Sequence, residues 1–379
     1  MTQTPGEGPR PLFFSGGTAL GETARALAGL TRHAVHVVTP FDSGGSSAVL
    51  RETFGMPAVG DMRSRLLALA DRSRPGVEPL VRLLAGRLSA EEPERVRERT
   101  LRELAEGKHA GFADLDESGK AFVCGRLRVL REHRTARLSL AGASVGNLVL
   151  AGGFLESGRS FDAILRMFSE RIRAQGVVRP SSSGCAHLAV RLGDGSVIAG
   201  QDRFTGKKSA PIGSPVAALW LAAARDCADP VEVPADPEVV RLVREADLIC
   251  YPIGSFYSSV LANLLPDGMV EAVASSPCPK VFIPNVAPDP ELAGQSVADQ
   301  VEALRAVAER AGKPLEAVLT TVLVDTRAAY PGGVPDARLA ASGIRVARLP
   351  FVRNGALSVD PDRLSRILVR EAICWPTTA

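Results

Sequence analysis

The sequence predicts a doubly wound α/β fold, a mostly parallel Rossmann-like sheet in three layers with a helical insertion. Three observations lead there. A short apolar run at residues 12–14 enters the turn Ser15-Gly16-Gly17-Thr18, an amphipathic stretch follows to about Leu30, and a second apolar run covers 34–39. Strand, glycine turn, helix and strand within roughly 30 residues form a βαβ unit, which requires a parallel pair. Further apolar runs recur at 186–191, 248–251, 281–284 and 320–324, with helix-period segments between most of them. That alternation is the mark of a wound sheet covered by helices on both faces.

Residues 71–140 interrupt the alternation. They are rich in Leu, Ala, Arg and Glu and read as almost wholly helical, with Ser89 and Glu92 at capping-box spacing to open a helix. The expected organisation is therefore one domain over 1–379 carrying this insertion, with a pair of plain crossover helices as the alternative. Loop signals are clearest at Ser181-Ser182-Ser183-Gly184 and in 230–237.

Composition narrows the function classes. The chain has 379 residues, 45% hydrophobic and 5% aromatic, enough for a large aliphatic core. Its 45 basic and 42 acidic residues leave a formal charge of +3, so no field draws it to nucleic acid or to a membrane surface. Six cysteines stand singly without zinc-ligand spacing and read as reduced thiols. The opening MTQTPGEGPR has neither the basic start nor the apolar stretch of a signal peptide, and no run approaches the roughly 20 apolar residues of a spanning helix. A cytoplasmic protein is expected.

The chemistry-bearing residues sit at strand ends. Gly16, Gly17 and Thr18 lie where the first strand meets the first helix, so a phosphate could rest on free backbone amides at the positive end of the helix dipole. The stretch nearly matches a P-loop, but Glu22 occupies the lysine position and would repel phosphates, which argues against an ATPase. No G-x-G-x-x-G is present. After the second strand come Asp42, Ser43, Gly44, Gly45, Ser46 and Ser47, a candidate magnesium ligand followed by amides and hydroxyls for anionic oxygens. In Gly60-Asp61-Met62-Arg63, Asp61 could cap the next helix and Arg63 could neutralise a phosphate. Gly254, Ser255 and Ser258 follow the strand at 248–251 and could receive a second anionic group, with Tyr257 either stacking on a base or packing in the core. His187, inside an apolar strand, reads as a core histidine. Loops at the carboxyl ends of an open parallel sheet are where such folds bind ligands.

These motifs resemble the CofD-like family in order along most of the chain. The first loop is similar to that family's G-G-T-G opening, Asp42-Ser43-Gly44-Gly45-Ser46-Ser47 to its D-D-G-G-S-S, and Gly60-Asp61-Met62-Arg63 to its G-D-L-R. Val145-Gly146-Asn147-Leu148 resembles its G-N-L segment, 193–201 its D-G-x-x-x-x-G-E hairpin, and Pro252-Ile253-Gly254-Ser255-Phe256-Tyr257-Ser258-Ser259 its G-P-G-S-L-Y-T-S. Asn285 falls where the family has an asparagine. The resemblance implies a ligand that is a nucleoside diphosphate-linked small molecule, held by Gly16, Gly17, Thr18, Ser43, Gly44, Gly45, Ser46, Ser47, Gly60, Asp61, Arg63, Asn147, Gly254, Ser255, Tyr257, Ser258 and Asn285, with Asp42 as the catalytic and magnesium-binding side chain. It admits two kinds of protein: a magnesium-dependent 2-phospholactate transferase and a YvcK-like regulator that binds nucleotide sugars. A homo-oligomer is compatible with either. Departures from the family pattern are Ala19 in place of the fourth glycine of the opening, Thr39 and Pro40 in place of the asparagine and threonine before the aspartates, and Ser43 in place of the second aspartate; the last removes a carboxylate from any magnesium site.

Overall fold

A computed structural model describes residues 8–135, 138–206, 210–353 and 357–374. The opening seven residues and the side chains of Ile373 and Cys374 lie outside that description. Read from the sequence as one domain, the chain separates into two compact units, 1–41 with 176–379, and 42–175.

The first unit holds a seven-stranded sheet. Its strands are β1 (Pro11–Ser15), β2 (Val35–Val38), β3 (Val177–Pro180), β8 (Leu248–Tyr251), β9 (Lys280–Phe282), β10 (Thr321–Val324) and β11 (Arg345–Arg348). They lie in the order β11-β10-β9-β8-β1-β2-β3, and every neighbouring pair is parallel. Strand order reverses between β1 and β8, so the crevice of a doubly wound sheet opens at their carboxyl ends. The central strands are buried on both faces and therefore read as unbroken apolar runs. Phe13 stacks on the fully buried His36 at 5.2 Å, and Phe14 on Tyr251, whose hydroxyl donates to Val318 O at 2.9 Å.

The run at 186–191 joins a different sheet. β4 (His187–Leu192), β5 (Val197–Ala199), β6 (Val216–Ala224) and β7 (Cys227–Pro230) form an antiparallel group ordered β5-β4-β6-β7. The reason is local. Asp194 Oδ1 accepts from the amide and the hydroxyl of Ser196, closing a turn too short for a crossover. His187 lies in β4, half-buried.

The second unit is helical: α2 (Gly45–Phe54), α3 (Gly60–Leu69), α4 (Val77–Ala85), α5 (Glu94–Glu106), α6 (Glu117–Glu132), α7 (Val145–Glu156) and α8 (Phe161–Arg171), following α1 (Gly21–Ala28) of the first unit. It extends beyond 71–140 on both sides. α7 is buried from Val145 to Phe154, as a helix apolar all round must be. A Cβ at Gly152 would stand 1.9 Å from Arg126 O, so only glycine lets α6 and α7 approach this closely. Ser89 does not open a helix: its hydroxyl accepts from the amides of Glu91 and Glu92 in a turn, and α5 begins after Pro93. Proline needs no amide partner at a helix start, which moves the boundary past it. Among the described side chains five cysteines are free, with Cys124, Cys250 and Cys278 buried.

Candidate functional site

In the helical unit, eight of the predicted residues gather around the start of α2. Gly44 is the cap residue of α2 and no side chain caps it, while Gly45 takes φ +57°. Asp42 Oδ1 accepts from Gly44 N at 2.9 Å, and Asp42 O accepts from Arg51 Nη1 at 2.8 Å, which fixes the carboxylate beside the helix start. Gly60 N donates to Ser47 Oγ at 3.0 Å and Asn147 Nδ2 to Ser46 Oγ at 3.0 Å, tying α2 to α3 and α7. A Cβ at Gly60 would stand 2.6 Å from Ser47 Oγ and 3.9 Å from both Asp42 Oδ2 and Asn147 Nδ2. Glycine there keeps open the space on which those three side chains converge. Asn147 is buried, and its Oδ1 has no hydrogen-bond partner among the described residues. Ser43 is buried at the same turn.

The next turn is arranged differently from the sequence reading. Val59, not Asp61, is the cap position of α3, and Asp61 lies inside the first turn, where its charge favours ionised Arg63 and Arg65. Arg63 points into the helical packing: it donates to the hydroxyls of Ser144 and Ser64. Burial, reinforced by the nearby Arg87, pushes its pKa down to about 10. An arginine so placed braces α3 against α7.

In the sheet unit, the first loop and the late loop come together. Thr18 O accepts from Gly21 N at 2.9 Å, so Gly16-Gly17-Thr18 folds directly into α1, and a Cβ at Gly254 would stand 3.8 Å from that of Ala19. Beside them is a pocket of about 390 Å³, walled by the start of α1, by Ile253 and by Asn285 to Ala287. No side chain caps α1 at Leu20. Glu22, read as a repellent for phosphate, pairs with Arg353 at 2.9 Å.

The late loop resolves its own electrostatics. The amides of Tyr257 and Ser258 donate to Glu291 Oε2 at 3.0 and 2.8 Å, the Ser258 hydroxyl donates to the same carboxylate, and Phe256 N donates to Asp289 Oδ2 at 2.9 Å. The second anionic group foreseen for this helix start is thus supplied by the chain itself. Tyr257 is buried, edge-on to Phe256, with its hydroxyl on Val216 O and Gln295 Oε1, and burial pushes its pKa up. Asn285 spends its amide on position: Oδ1 accepts from Gly254 N at 2.8 Å, and Nδ2 donates to Gly254 O and Asp289.

Asp289, Glu291, Thr23 and Arg353 were not singled out from the sequence. The spacing Pro288-Asp289-Pro290-Glu291 just past β9 was the available signal for the first two; nothing local marks the others. No cluster of three His, Cys, Asp or Glu side chains suited to a metal occurs among the described residues. No described helix is long and apolar enough to cross a membrane.

The family model described as 2-phospho-L-lactate transferase CofD matches residues 12–343. The Gluconeogenesis factor of Bacillus subtilis is 30% identical over 301 residues, covering 79% of this chain and 75% of that protein. A Putative gluconeogenesis factor of Nostoc is 28% identical over 79% of this chain and 52% of its own length. A crystal structure of a Bacillus halodurans protein superposes with a TM-score of 0.71 over 96% of this chain and 100% of that one, at 23% identity, and so shares the fold. The chain belongs to the CofD family.

Proposed function

We propose that the chain binds a nucleoside diphosphate-linked small molecule and serves as a regulator of carbon metabolism. The observation that carries the binding is the Oδ1 of buried Asn147, without a partner among the described residues, beside the uncapped start of α2. A buried carbonyl oxygen without a donor costs about 1–3 kcal/mol, which a bound ligand offsets. Hydroxyls and amides at Ser46, Ser47 and the helix start suit phosphate oxygens, while Asn147 Oδ1 suits a sugar hydroxyl or a cation, so the set fits a sugar phosphate better than a bare anion. The regulatory role follows the relatives, which are called gluconeogenesis factors.

A second reading, a 2-phospholactate-type transferase, is favoured by the family description and by Asp42. Magnesium takes oxygen donors, usually one or two carboxylates with substrate phosphates. Asp42 supplies one, Ser43 none, so the donor set fits an ion held mainly by the substrate, and such an ion would neutralise phosphate charge. The chain's own part would be to orient the diphosphate through Ser46, Ser47 and Asn147.

Calorimetry with guanosine and uridine diphosphate compounds, with and without magnesium, tests both. Binding without released nucleoside monophosphate supports the regulator. Magnesium-dependent turnover abolished by Asp42→Asn would establish the transferase, and binding of neither compound class would end both readings.

A further inference from the structure

We propose that Arg353 is an anion clamp, held ready by Glu22 over the start of α1, that grips a nucleotide phosphate bound within the sheet unit. The inference rests on the nucleotide reading above and adds a residue beyond the family-matched segment, which ends at residue 343.

Three observations converge on the 390 Å³ pocket. The first is the eight-residue helix α1, whose first turn lines the pocket and whose cap residue, Leu20, offers no side-chain acceptor. Its amides and dipole favour a negative group. The second is Thr23, which lines the same pocket, is 1% exposed, and has an Oγ1 with no partner among the described residues. A buried hydroxyl is both donor and acceptor and is normally satisfied, so a ligand oxygen is the missing partner. The third is Arg353, half-exposed, which reaches Glu22 from 331 residues away in sequence.

Arg353 is not on a loose tail. The antiparallel bridge between Val352 and Val359 places it, and the buried Asp325 at the end of β10 accepts from the amides of Phe351 and Val352 at 2.5 and 2.6 Å. Arg327 adds a bond to Val352 O at 2.5 Å. The backbone beneath the guanidinium is therefore fixed while the guanidinium itself remains near solvent. Leu357, 64% exposed, and Ile253 give the same pocket an apolar wall. A phosphate against α1, Thr23 and Arg353 with a flat organic part on that wall is the chemistry of a nucleotide. Glu22 is the internal competitor: it holds Arg353 in place before binding and is displaced from it by the doubly charged phosphate, which forms the stronger charge-assisted bonds.

Calorimetry on the full chain with inorganic pyrophosphate and with guanosine and uridine diphosphates reads the clamp. Arg353→Ala should weaken binding of all three about tenfold or more, Arg353→Lys should recover part of it, and Glu22→Gln should tighten it about threefold. Both residues are exposed, so thermal melting should stay close to that of the parent chain. Nucleotide binding that is indifferent to Arg353 and Glu22 overturns the clamp and leaves the nucleotide reading standing. Pyrophosphate binding that depends on Arg353 with no nucleotide binding supports the clamp and removes the nucleotide reading. Absence of all binding overturns both.

Discussion

The turns after β1 and after β8 look alike in sequence and end up opposite in electrostatics. Both follow a parallel strand, both carry glycine and hydroxyl residues, and both lead into a helical turn. After β8, Asp289 and Glu291 fill the amides of Phe256, Tyr257 and Ser258. After β1, α1 begins without a side-chain cap and Thr23 Oγ1 is left without a partner among the described residues. A helix start becomes a ligand site only where the rest of the chain leaves it unanswered, and that is decided by residues far along the sequence.

The largest expected effect comes from emptying the filled turn. Glu291→Ala leaves two buried amides and a hydroxyl unsatisfied and should cost about 3 kcal/mol in denaturant or thermal unfolding. If the comparison is right, phosphate or sulfate should then raise the melting temperature of this variant well above its effect on the parent chain, because the vacated amides donate to the anion. Equal salt responses in the two proteins would break the comparison.

A smaller loss is expected at Asp325, which ties β10 to the segment bearing Arg353. Burial pushes its pKa up, yet the amides of Arg327, Phe351 and Val352 outweigh burial and hold the carboxyl below its ordinary value. A pKa depressed on folding gives stability that is fully present above the unfolded value, about 3.9, and is lost as pH falls through the folded value. Asp325→Asn should therefore cost about 2 kcal/mol at pH 7, with the gap to the parent chain closing below about pH 4. A gap that does not change between pH 7 and pH 3 would contradict the assignment.

The smallest expected effect is also the most discriminating. Thr23→Val removes a buried hydroxyl that has no partner among the described residues, so unfolding should be unchanged or stabilised, by at most about 1 kcal/mol. Affinity for pyrophosphate should nevertheless fall several-fold. A loss of stability with affinity unchanged would mean that the hydroxyl serves the fold.

Much of the architecture was legible. The βαβ opening, the apolar runs and the helical stretch reappear as β1-α1-β2, as the sheet strands and as the second unit, because a strand buried on both faces must be apolar throughout. Strand β6, Val216–Ala224, escaped because its alanine-rich run carries little β-propensity and is fixed by pairing with β4. Among the site residues, Asp42, Ser46, Ser47, Gly60 and Asn147 were legible from local motifs, and within the helical unit they do gather. Arg63 was legible as a charge and not as a brace, since its direction depends on Ser144, the cap residue of α7.

By itself, then, the sequence determined that the main sheet is parallel, that strand carboxyl ends carry glycine and hydroxyl turns, and to which family the chain belongs. These are properties of short windows, where periodicity, turn chemistry and motif spacing act over a few residues. Tertiary structure alone decided which turn keeps its amides open. Glu291 reaches the turn after β8 from beyond β9, and Arg353 reaches α1 from the far end of the chain, because a wound parallel sheet brings segments distant in sequence to adjacent strand ends.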